Sequence, residues 1–261
     1  MNAVVIIPAR MGATRFPGKP LIDLCGKPMI QWVYERASKA AGVSRVMVAT
    51  CDREIIDVVT GFGGEAVMTS SAHRSGTDRI AEAAAGLDAD VIVNVQGDEP
   101  LIDPVSIERA LEPFAGDHGV LMTSLMAPID RESAKDPNLV KVVVTTDNHA
   151  LYFSRSAIPY ERKPLEGRGI YGHVGLYAYT KDFLLKFASL EPTPLEKAES
   201  LEQLRVLEHG YRIKMVEVAD RPLGVDTWGD LERVREVVTS YELRVGKAAI
   251  PPGILPGGER A

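Results

Sequence analysis

The sequence predicts an α/β protein with a doubly wound, mainly parallel sheet and an inserted antiparallel region. Strand-like and helix-like segments alternate from residue 3 to residue 126, as in sheets whose parallel strands are joined by helices. The run Asp90–Gln96 has valine and isoleucine on both faces, which is typical of a central parallel strand. Further along, two strand-like runs flank the turn signal Asp147-Asn148, which favours an antiparallel hairpin.

Local signals place the elements of the first half. Pro28 suits the first turn of a helix, Asp52 can cap the next one, and Ser75-Gly76-Thr77 opens a third. Predicted strands lie at residues 3–7, 45–49, 65–68, 90–96 and 119–126. Predicted helices lie at residues 28–40, 52–59, 78–85 and 104–114.

The second half changes character near Ala127. Residues 156–172 are rich in proline, glycine and charge and are predicted to form a loop. Predicted strands lie at residues 140–144, 150–153, 174–179 and 212–218, and predicted helices at 195–209 and 230–243. We expect one domain over residues 1–245, with 128–192 inserted into it and 246–261 as a flexible tail.

Bulk composition excludes several classes of protein. Apolar residues make up 45% and charged residues 25%, as in ordinary globular proteins. Neither a membrane-length apolar run nor a signal-peptide pattern is present, so we expect a cytoplasmic protein that does not bind membranes. Cys25 and Cys51 form no CxxC pair and are expected to be reduced thiols.

The net charge of −6 argues against a general nucleic-acid-binding protein, so any bound polyanion should be small and held locally. The loop after the first strand provides a place for one. It carries Arg10, Arg15 and Lys19 between glycines, and no acidic residue occurs over residues 8–22. Backbone N–H groups and cations after a strand predict a phosphate-binding loop. A solvated surface cluster is the alternative.

This loop is not a P-loop. The spacing from Gly12 to Gly18 is one residue too long, and Pro20 stands where a magnesium-binding hydroxyl would be. Metal ligands for a triphosphate must therefore come from elsewhere. Asp98, directly after a buried strand, and Asp226 are candidate Mg²⁺ ligands, although each could instead serve a turn or a helix cap.

A second set of polar residues lies in the later part of the chain. Arg155 ends the hairpin and could bind a carboxylate through its guanidinium fork, or form a surface ion pair. His173 and Tyr177 share one face of a strand, and Glu202 and Gln203 fall in the apolar arc of the predicted helix 195–209. Such side chains either bond to nearby backbone or face a polar ligand. No Ser-His-Asp or Cys-His arrangement indicates covalent catalysis.

These residues occur in stretches that together resemble the 3-deoxy-manno-octulosonate (Kdo) cytidylyltransferase family. The resemblance covers almost the whole chain up to residue 245. The matching stretches are IIPAR (6–10), TRFPGKPL (14–21), SGTDR (75–79), VNVQGDEP (93–100), DPNLVKVV (136–143), ALYFSR (150–155), HVGLYAY (173–179), PLEKAESLEQLRVLE (194–208) and GVDTWGDLERV (224–234).

The resemblance implies transfer of CMP from CTP to the anomeric hydroxyl of Kdo, with release of pyrophosphate, for lipopolysaccharide assembly. It also implies a fold like that of nucleotide-diphospho-sugar transferases, which is Rossmann-like, with Mg²⁺ as cofactor. The inserted region is then expected to bind the sugar and to build a homodimer. We expect an in-line displacement at the α-phosphate without a covalent intermediate.

The same resemblance implies a role for each candidate residue. The nucleotide-binding residues would be Arg10, Lys19, Thr77, Arg79 and Gln96. The magnesium ligands would be Asp98 and Asp226, which with Arg10 and Lys19 form the catalytic set. The sugar-acid-binding residues would be Arg155, His173, Tyr177, Glu202 and Gln203.

The chain departs from the family pattern at residues 11–13, at Phe16 and at Trp228-Gly229, and its segment 156–172 is compact. Two other functions therefore stay open. One is a cytidylyltransferase for another sugar acid, such as an amino-substituted Kdo or a sialic acid. The other is a non-catalytic nucleotide-binding sensor, which would not need a metal site with two carboxylates.

Overall fold

The computed structural model describes residues 1–12, 16–73, 75–163, 165, 167 and 169–245, with side chains described to residue 240. Arg15, the side chain of Tyr241 and the predicted tail 246–261 lie outside the described residues. The chain forms two compact units. The first unit comprises residues 2–108 and the described residues from 222 onward, and the second comprises Met1 and residues 109–221.

The first unit contains a parallel sheet. Its strands are β1 (Ala3–Ala9), β4 (Val43–Thr50), β5 (Ala66–Met68) and β6 (Val91–Asn94), with a separate short antiparallel pair, β2 (Asp23–Leu24) and β3 (Lys27–Pro28). The order is β6-β1-β4-β5, and every neighbouring pair is parallel. Residues 3–7 of β1 are at most 2% exposed, as expected for a strand covered on both faces.

The second unit contains a mixed sheet. Its strands are β7 (Met122–Ile129), β8 (Lys141–Val144), β9 (Ala150–Ser154), β10 (Ile170–Thr180) and β11 (Lys214–Glu217). Strands β7 and β11 are parallel, whereas β10 runs antiparallel to both β7 and β8, and β8 runs antiparallel to β9. The predicted hairpin is confirmed, and Asn148 in its turn has a left-handed φ of 58°.

Eight helices cover the described chain. They are α1 (Met29–Ala37), α2 (Arg53–Gly61), α3 (Gly76–Ala85), α4 (Pro104–Gly116), α5 (Lys181–Ser189), α6 (Pro194–Glu199), α7 (Gln203–Glu208) and α8 (Trp228–Val245). Short 3₁₀ turns occur at Lys19–Leu21 and Ser133–Lys135. In the part of the chain that the structure describes, no helix combines the length and apolar character that membrane crossing requires.

The α/β fold class with a mainly parallel sheet and antiparallel strands is confirmed, and most predicted elements are present. The division into a domain of residues 1–245 with an inserted region 128–192 stays a prediction. Helix α5 was missed, although Thr180 Oγ1 accepts the Phe183 N–H at 3.3 Å as an N-cap and Phe183 and Phe187 are buried. The pair β2–β3 was also missed.

The predicted continuous helix over 195–209 is wrong. Ser200 has a left-handed φ of 53°, which ends α6 before α7 begins. The break allows Arg205 Nη2 to reach Glu196 Oε1 at 2.5 Å. Nine residues of continuous helix would separate these positions by about 13.5 Å along the axis. The apolar arc that placed Glu202 and Gln203 on a single helix therefore does not exist.

Candidate active site

A cavity of about 290 Å³ opens in the first unit, beyond the carboxyl ends of β1 and β6. Ligands of parallel α/β sheets bind at this edge. The residues that line the cavity are Pro8, Ala9, Arg10, Lys19, Pro20, His73, Ser75, Gly76, Arg79, Gln96, Gly97 and Asp98. The structure thus brings together five of the predicted site residues: Arg10, Lys19, Arg79, Gln96 and Asp98.

Lys19 holds the two candidate metal carboxylates together. Its Nζ lies 2.6 Å from Asp98 Oδ2 and 3.2 Å from Asp226 Oδ1. The Lys19 side chain is only 12% exposed, whereas that of Asp226 is 73% exposed. Residues more than 200 positions apart in sequence therefore meet at one ammonium group, and two carboxylates converge on a single cationic position.

The backbone before Lys19 explains how the loop presents it. Gly18 has a φ of 72°, which favours glycine, and its N–H donates to Met11 O at 3.1 Å. Lys19 then begins the short 3₁₀ turn, with Pro20 as its second residue. The N–H of Met11 donates to Asp52 Oδ2 at 2.8 Å. The helix predicted after Asp52 is present, but this carboxylate anchors the basic loop and does not cap the helix.

Asp98 and Asp226 are brought together by main-chain contacts. The Val225 N–H donates to Asp98 O at 2.9 Å, which brings the next residue, Asp226, close to Asp98. Asp230 Oδ2 then accepts the N–H groups of Asp226 and Thr227, at 3.1 and 2.8 Å. Sequence reasoning missed Asp230, although the Thr227-x-x-Asp230 spacing before α8 is a capping signal.

The other predicted nucleotide-binding residues differ in their settings. Arg79 is 4% exposed, and its guanidinium donates to Thr69 Oγ1 and to Cys51 Sγ. These hydrogen bonds also stabilise the fold. Gln96 Nε2 donates to Asn94 Oδ1 at 3.1 Å at the rim of the cavity. Thr77 is buried at 3% exposure in the first turn of α3 and does not line the cavity, although the preceding Gly76 does.

His73 also lines the cavity, and no sequence signal singled it out. Its ring bonds to Glu82 Oε2, which also accepts the Ser70 N–H at 2.9 Å. The pKa of the Glu82 carboxyl is lowered, first by the hydrogen bond from the Ser70 backbone and then by that from His73. Glu82 of α3 thus holds both His73 and the backbone of Ser70.

The residues of this site suit a hard divalent cation. Two carboxylates face one cationic position at Lys19, and Mg²⁺ is usually bound by one or two carboxylates together with phosphate oxygens. Within the described residues, no group of three or more His, Cys, Asp or Glu side chains forms a complete protein cage for a metal. The site therefore fits a cation that shares its ligands with a bound phosphate.

The predicted sugar-acid residues lie in the second unit. Arg155 directly follows β9, and its Nε and Nη1 donate to the carbonyl oxygens of Glu199 and Pro137, at 2.8 and 3.1 Å. Among the residues that the structure describes, Arg155 forms no ion pair. Its guanidinium is thus held in place by neutral acceptors and keeps its positive charge uncompensated by a direct carboxylate contact.

His173 and Tyr177 make contact on β10, with ring centroids 5.4 Å apart. His173 is 8% exposed, and its Nε2 lies 2.9 Å from Ser124 Oγ. Burial, with a smaller contribution from the positive charge of Arg221, lowers the pKa of His173 to about 3. The imidazole is therefore neutral near pH 7 and can serve as a hydrogen-bonding group but not as a charge.

Glu202 and Gln203 lie at the start of α7. Gln203 is 4% exposed, whereas Glu202 is half-buried and lies 4.0 Å from Arg205 Nη2. Sequence reasoning missed Glu199, at the end of α6, whose carboxylate accepts both Ser154 Oγ and the Arg155 N–H, at 2.6 and 2.9 Å. It could not be found in advance because the broken helix that presents it was not predicted.

The chain is similar to known proteins over most of its length. The profile of the cytidylyltransferase family matches residues 4–213. The 3-deoxy-manno-octulosonate cytidylyltransferase of Trichlorobacter lovleyi is 53% identical over 247 residues, covering 90% of this chain and 98% of the relative. The enzyme of that name from Geobacter metallireducens is 50% identical over 256 residues, covering 93% and 100%.

A solved structure of CMP:2-keto-3-deoxy-manno-octonic acid synthetase complexed with CTP is 47% identical. It superposes with a TM-score of 0.89 and covers 92% of this chain and 99% of that one. The match therefore extends over most of the chain. The chain belongs to the cytidylyltransferases, and within them to the family of 3-deoxy-manno-octulosonate cytidylyltransferases.

Proposed function

We propose that this protein transfers CMP from CTP to the anomeric hydroxyl of Kdo, giving CMP-Kdo and pyrophosphate. The observation that carries this proposal is the convergence of Asp98 and Asp226 on Lys19, a residue that lines the cavity with Asp98. The arrangement supports binding of a nucleoside triphosphate with a divalent cation. The names of the relatives, and the CTP complex of the similar synthetase, support CTP and Kdo as the substrates.

The basic residues of the cavity would bind the triphosphate. Arg10 and Lys19 would neutralise its charge and stabilise the charge that develops on departing pyrophosphate. Arg79, Gln96 and the turn at Thr77 would complete the nucleotide site. Because the guanidinium of Arg79 already bonds to Thr69 and Cys51, we expect it to be rigid before CTP binds.

Asp98 and Asp226 would hold Mg²⁺, which when bound would neutralise phosphate charge and lower the pKa of the attacking hydroxyl. The anomeric oxygen forms a bond to the α-phosphorus as the bond from that phosphorus to the pyrophosphate oxygen breaks. The hydroxyl proton passes to solvent. Positioning and charge neutralisation account for most of the rate in such transfers, so no nucleophilic side chain is required.

The second unit would bind the sugar acid. Arg155 would pair with the Kdo carboxylate, since its guanidinium is oriented by two carbonyl oxygens. The neutral His173, with Tyr177, Glu202 and Gln203, would bond to the sugar hydroxyls. We further propose that the protein works in the cytoplasm as a homodimer and supplies lipopolysaccharide assembly.

Pyrophosphate release tests the proposal. The protein should release pyrophosphate from CTP in the presence of Kdo and Mg²⁺, and much more slowly when Mg²⁺ is chelated. Comparison of kcat/KM for Kdo, amino-substituted Kdo and sialic acid identifies the acceptor. A higher kcat/KM for another sugar acid would contradict Kdo as the substrate, and CTP binding without turnover for any acceptor would favour the sensor.

A further inference from the structure

Lys141 is a buried cation that the proposed mechanism does not use. It lies on β8, and its side chain is 0% exposed. A lysine is seldom fully buried unless every donor of its ammonium group is satisfied. Here Nζ donates to three carbonyl oxygens, those of Asp136, Leu139 and Arg155, at 2.8, 2.6 and 2.6 Å. All three donors of the ammonium group are therefore used on backbone.

Those three acceptors belong to two segments that meet at Arg155. The carbonyl groups of Asp136 and Leu139 flank Pro137, whose own carbonyl accepts the Arg155 Nη1. The third acceptor is the carbonyl of Arg155 itself. Lys141 thus fixes both the main chain of Arg155 and one of the two oxygens that orient its guanidinium.

Glu199 fixes the other side of Arg155. Its carboxylate accepts Ser154 Oγ and the Arg155 N–H, while its own carbonyl accepts the Arg155 Nε. Burial by itself would raise the pKa of Glu199, but the hydrogen bonds from Ser154 and Arg155 outweigh burial and lower it. The carboxylate therefore stays ionised and ties the end of α6 to the end of β9.

We propose that Lys141 and Glu199 are positioning residues that hold the Arg155 guanidinium ready for the carboxylate of the sugar acid. Neither residue would touch the substrate. This proposal rests on the proposed function, in which Arg155 binds the carboxylate of Kdo. Its physical basis is that a bidentate ion pair needs a fixed guanidinium, and small displacements of a binding group lower rates steeply.

Steady-state kinetics of Lys141→Met test the proposal, since methionine keeps much of the volume but has no donors. We expect KM for Kdo to rise by about tenfold to a hundredfold. KM for CTP should change much less. Lys135→Met is the matched control, because Lys135 is 67% exposed and pairs with Glu132 on the surface. This control should leave both KM values unchanged.

Non-additivity separates positioning from a purely structural role. If Lys141 acts through Arg155, adding Lys141→Met to Arg155→Ala should raise KM for Kdo no further. Equal increases in KM for CTP and Kdo, or additive effects in the double variant, would overturn the proposal. A wild-type protein inactive toward Kdo would instead contradict the proposed function itself.

If circular dichroism shows that Lys141→Met does not fold, a second variant, Glu199→Gln, tests the positioning role. Glu199→Gln keeps one oxygen acceptor and loses only one of the two bonds to Ser154 and Arg155. We expect a several-fold rise in KM for Kdo and an unchanged KM for CTP. An unchanged KM for Kdo in a folded Glu199→Gln protein would overturn the proposal.

Discussion

The ammonium group of Lys19 lies 2.6 Å from Asp98 Oδ2 and 3.2 Å from Asp226 Oδ1. A phosphate-binding cation and two candidate metal ligands thus share one position, although they come from three distant parts of the sequence. Single substitutions can therefore test the two carboxylates and the backbone that holds them in place.

Asp98→Asn should lower kcat by about a hundredfold to a thousandfold, because it removes a charge that the transition state requires. Asp226→Asn should act in the same direction and raise the Mg²⁺ concentration needed for half-maximal rate. Pyrophosphate release at varied Mg²⁺ measures both effects. Asp57→Asn is the control, since Asp57 forms an exposed ion pair with Arg53. Near-normal rates for Asp98→Asn would disprove the metal assignment.

Gly97→Ala should damage the site and the fold together. A Cβ at Gly97 would lie 3.0 Å from Pro8 O, a backbone atom of β1 that cannot move freely. Overpacking of this kind costs about 1–3 kcal/mol of unfolding free energy, and we expect Asp98 to be displaced with it. Urea denaturation and kcat/KM for CTP measure the two effects.

Gly86→Ala provides the comparison, because a Cβ there would meet nothing within 4 Å. We expect its unfolding free energy to stay within about 0.5 kcal/mol of the wild type. If both alanine variants behaved alike, the close approach of Gly97 to β1 would have no functional consequence.

Asp52→Ala should weaken CTP binding without touching the nucleotide. It leaves the Met11 N–H without its acceptor, at a cost of about 1–3 kcal/mol if that group stays buried, and loosens the loop that carries Lys19. Asp52→Asn keeps an oxygen acceptor and should stay close to the wild type. Calorimetric titration with CTP would separate the two variants, and equal affinities for CTP would contradict this role of Asp52.

His173 should make the protein less stable in mild acid. Its pKa is lowered to about 3 in the fold from an ordinary value of 6.5. Between these values the unfolded chain binds the proton and the folded chain does not, so the unfolding free energy falls as pH falls. The slope from this group approaches about 1.4 kcal/mol per pH unit.

The difference between wild type and His173→Gln isolates this contribution. Urea denaturation at pH 7.5, 6.5, 5.5 and 5.0 should show a shallower pH dependence for the variant. Parallel curves for the two proteins would mean that His173 titrates normally in the fold.

Much of this molecule could be predicted from local sequence patterns. The alternation of strands and helices in residues 3–126 is encoded by periodicity, and the hairpin by Asp147-Asn148. Because the spacing from Gly12 to Gly18 does not fit a P-loop, the sequence also predicted metal ligands outside the basic loop, and that assignment stays a prediction. The structure brings Lys19 together with Asp98 and Asp226, the two candidate ligands.

Other features depend on contacts that no local pattern encodes. The interruption at Ser200 brings Arg205 to Glu196, an ion pair that a continuous helix would prevent. Asp52 has the sequence signature of a helix cap, but its carboxylate accepts a hydrogen bond from the distant Met11 N–H instead. No local sequence pattern distinguishes Lys141 from an ordinary strand lysine, because its three carbonyl acceptors are brought together only by the fold.

Phosphorus-31 NMR of the protein with CTP, Kdo and Mg²⁺ would detect transfer of CMP to Kdo. We expect a new phosphodiester resonance from CMP-Kdo and an equal amount of pyrophosphate, both formed about a hundredfold to a thousandfold more slowly by the Asp98→Asn protein. Unchanged CTP, hydrolysis to CDP and phosphate, or equally fast product formation by Asp98→Asn would contradict this expectation.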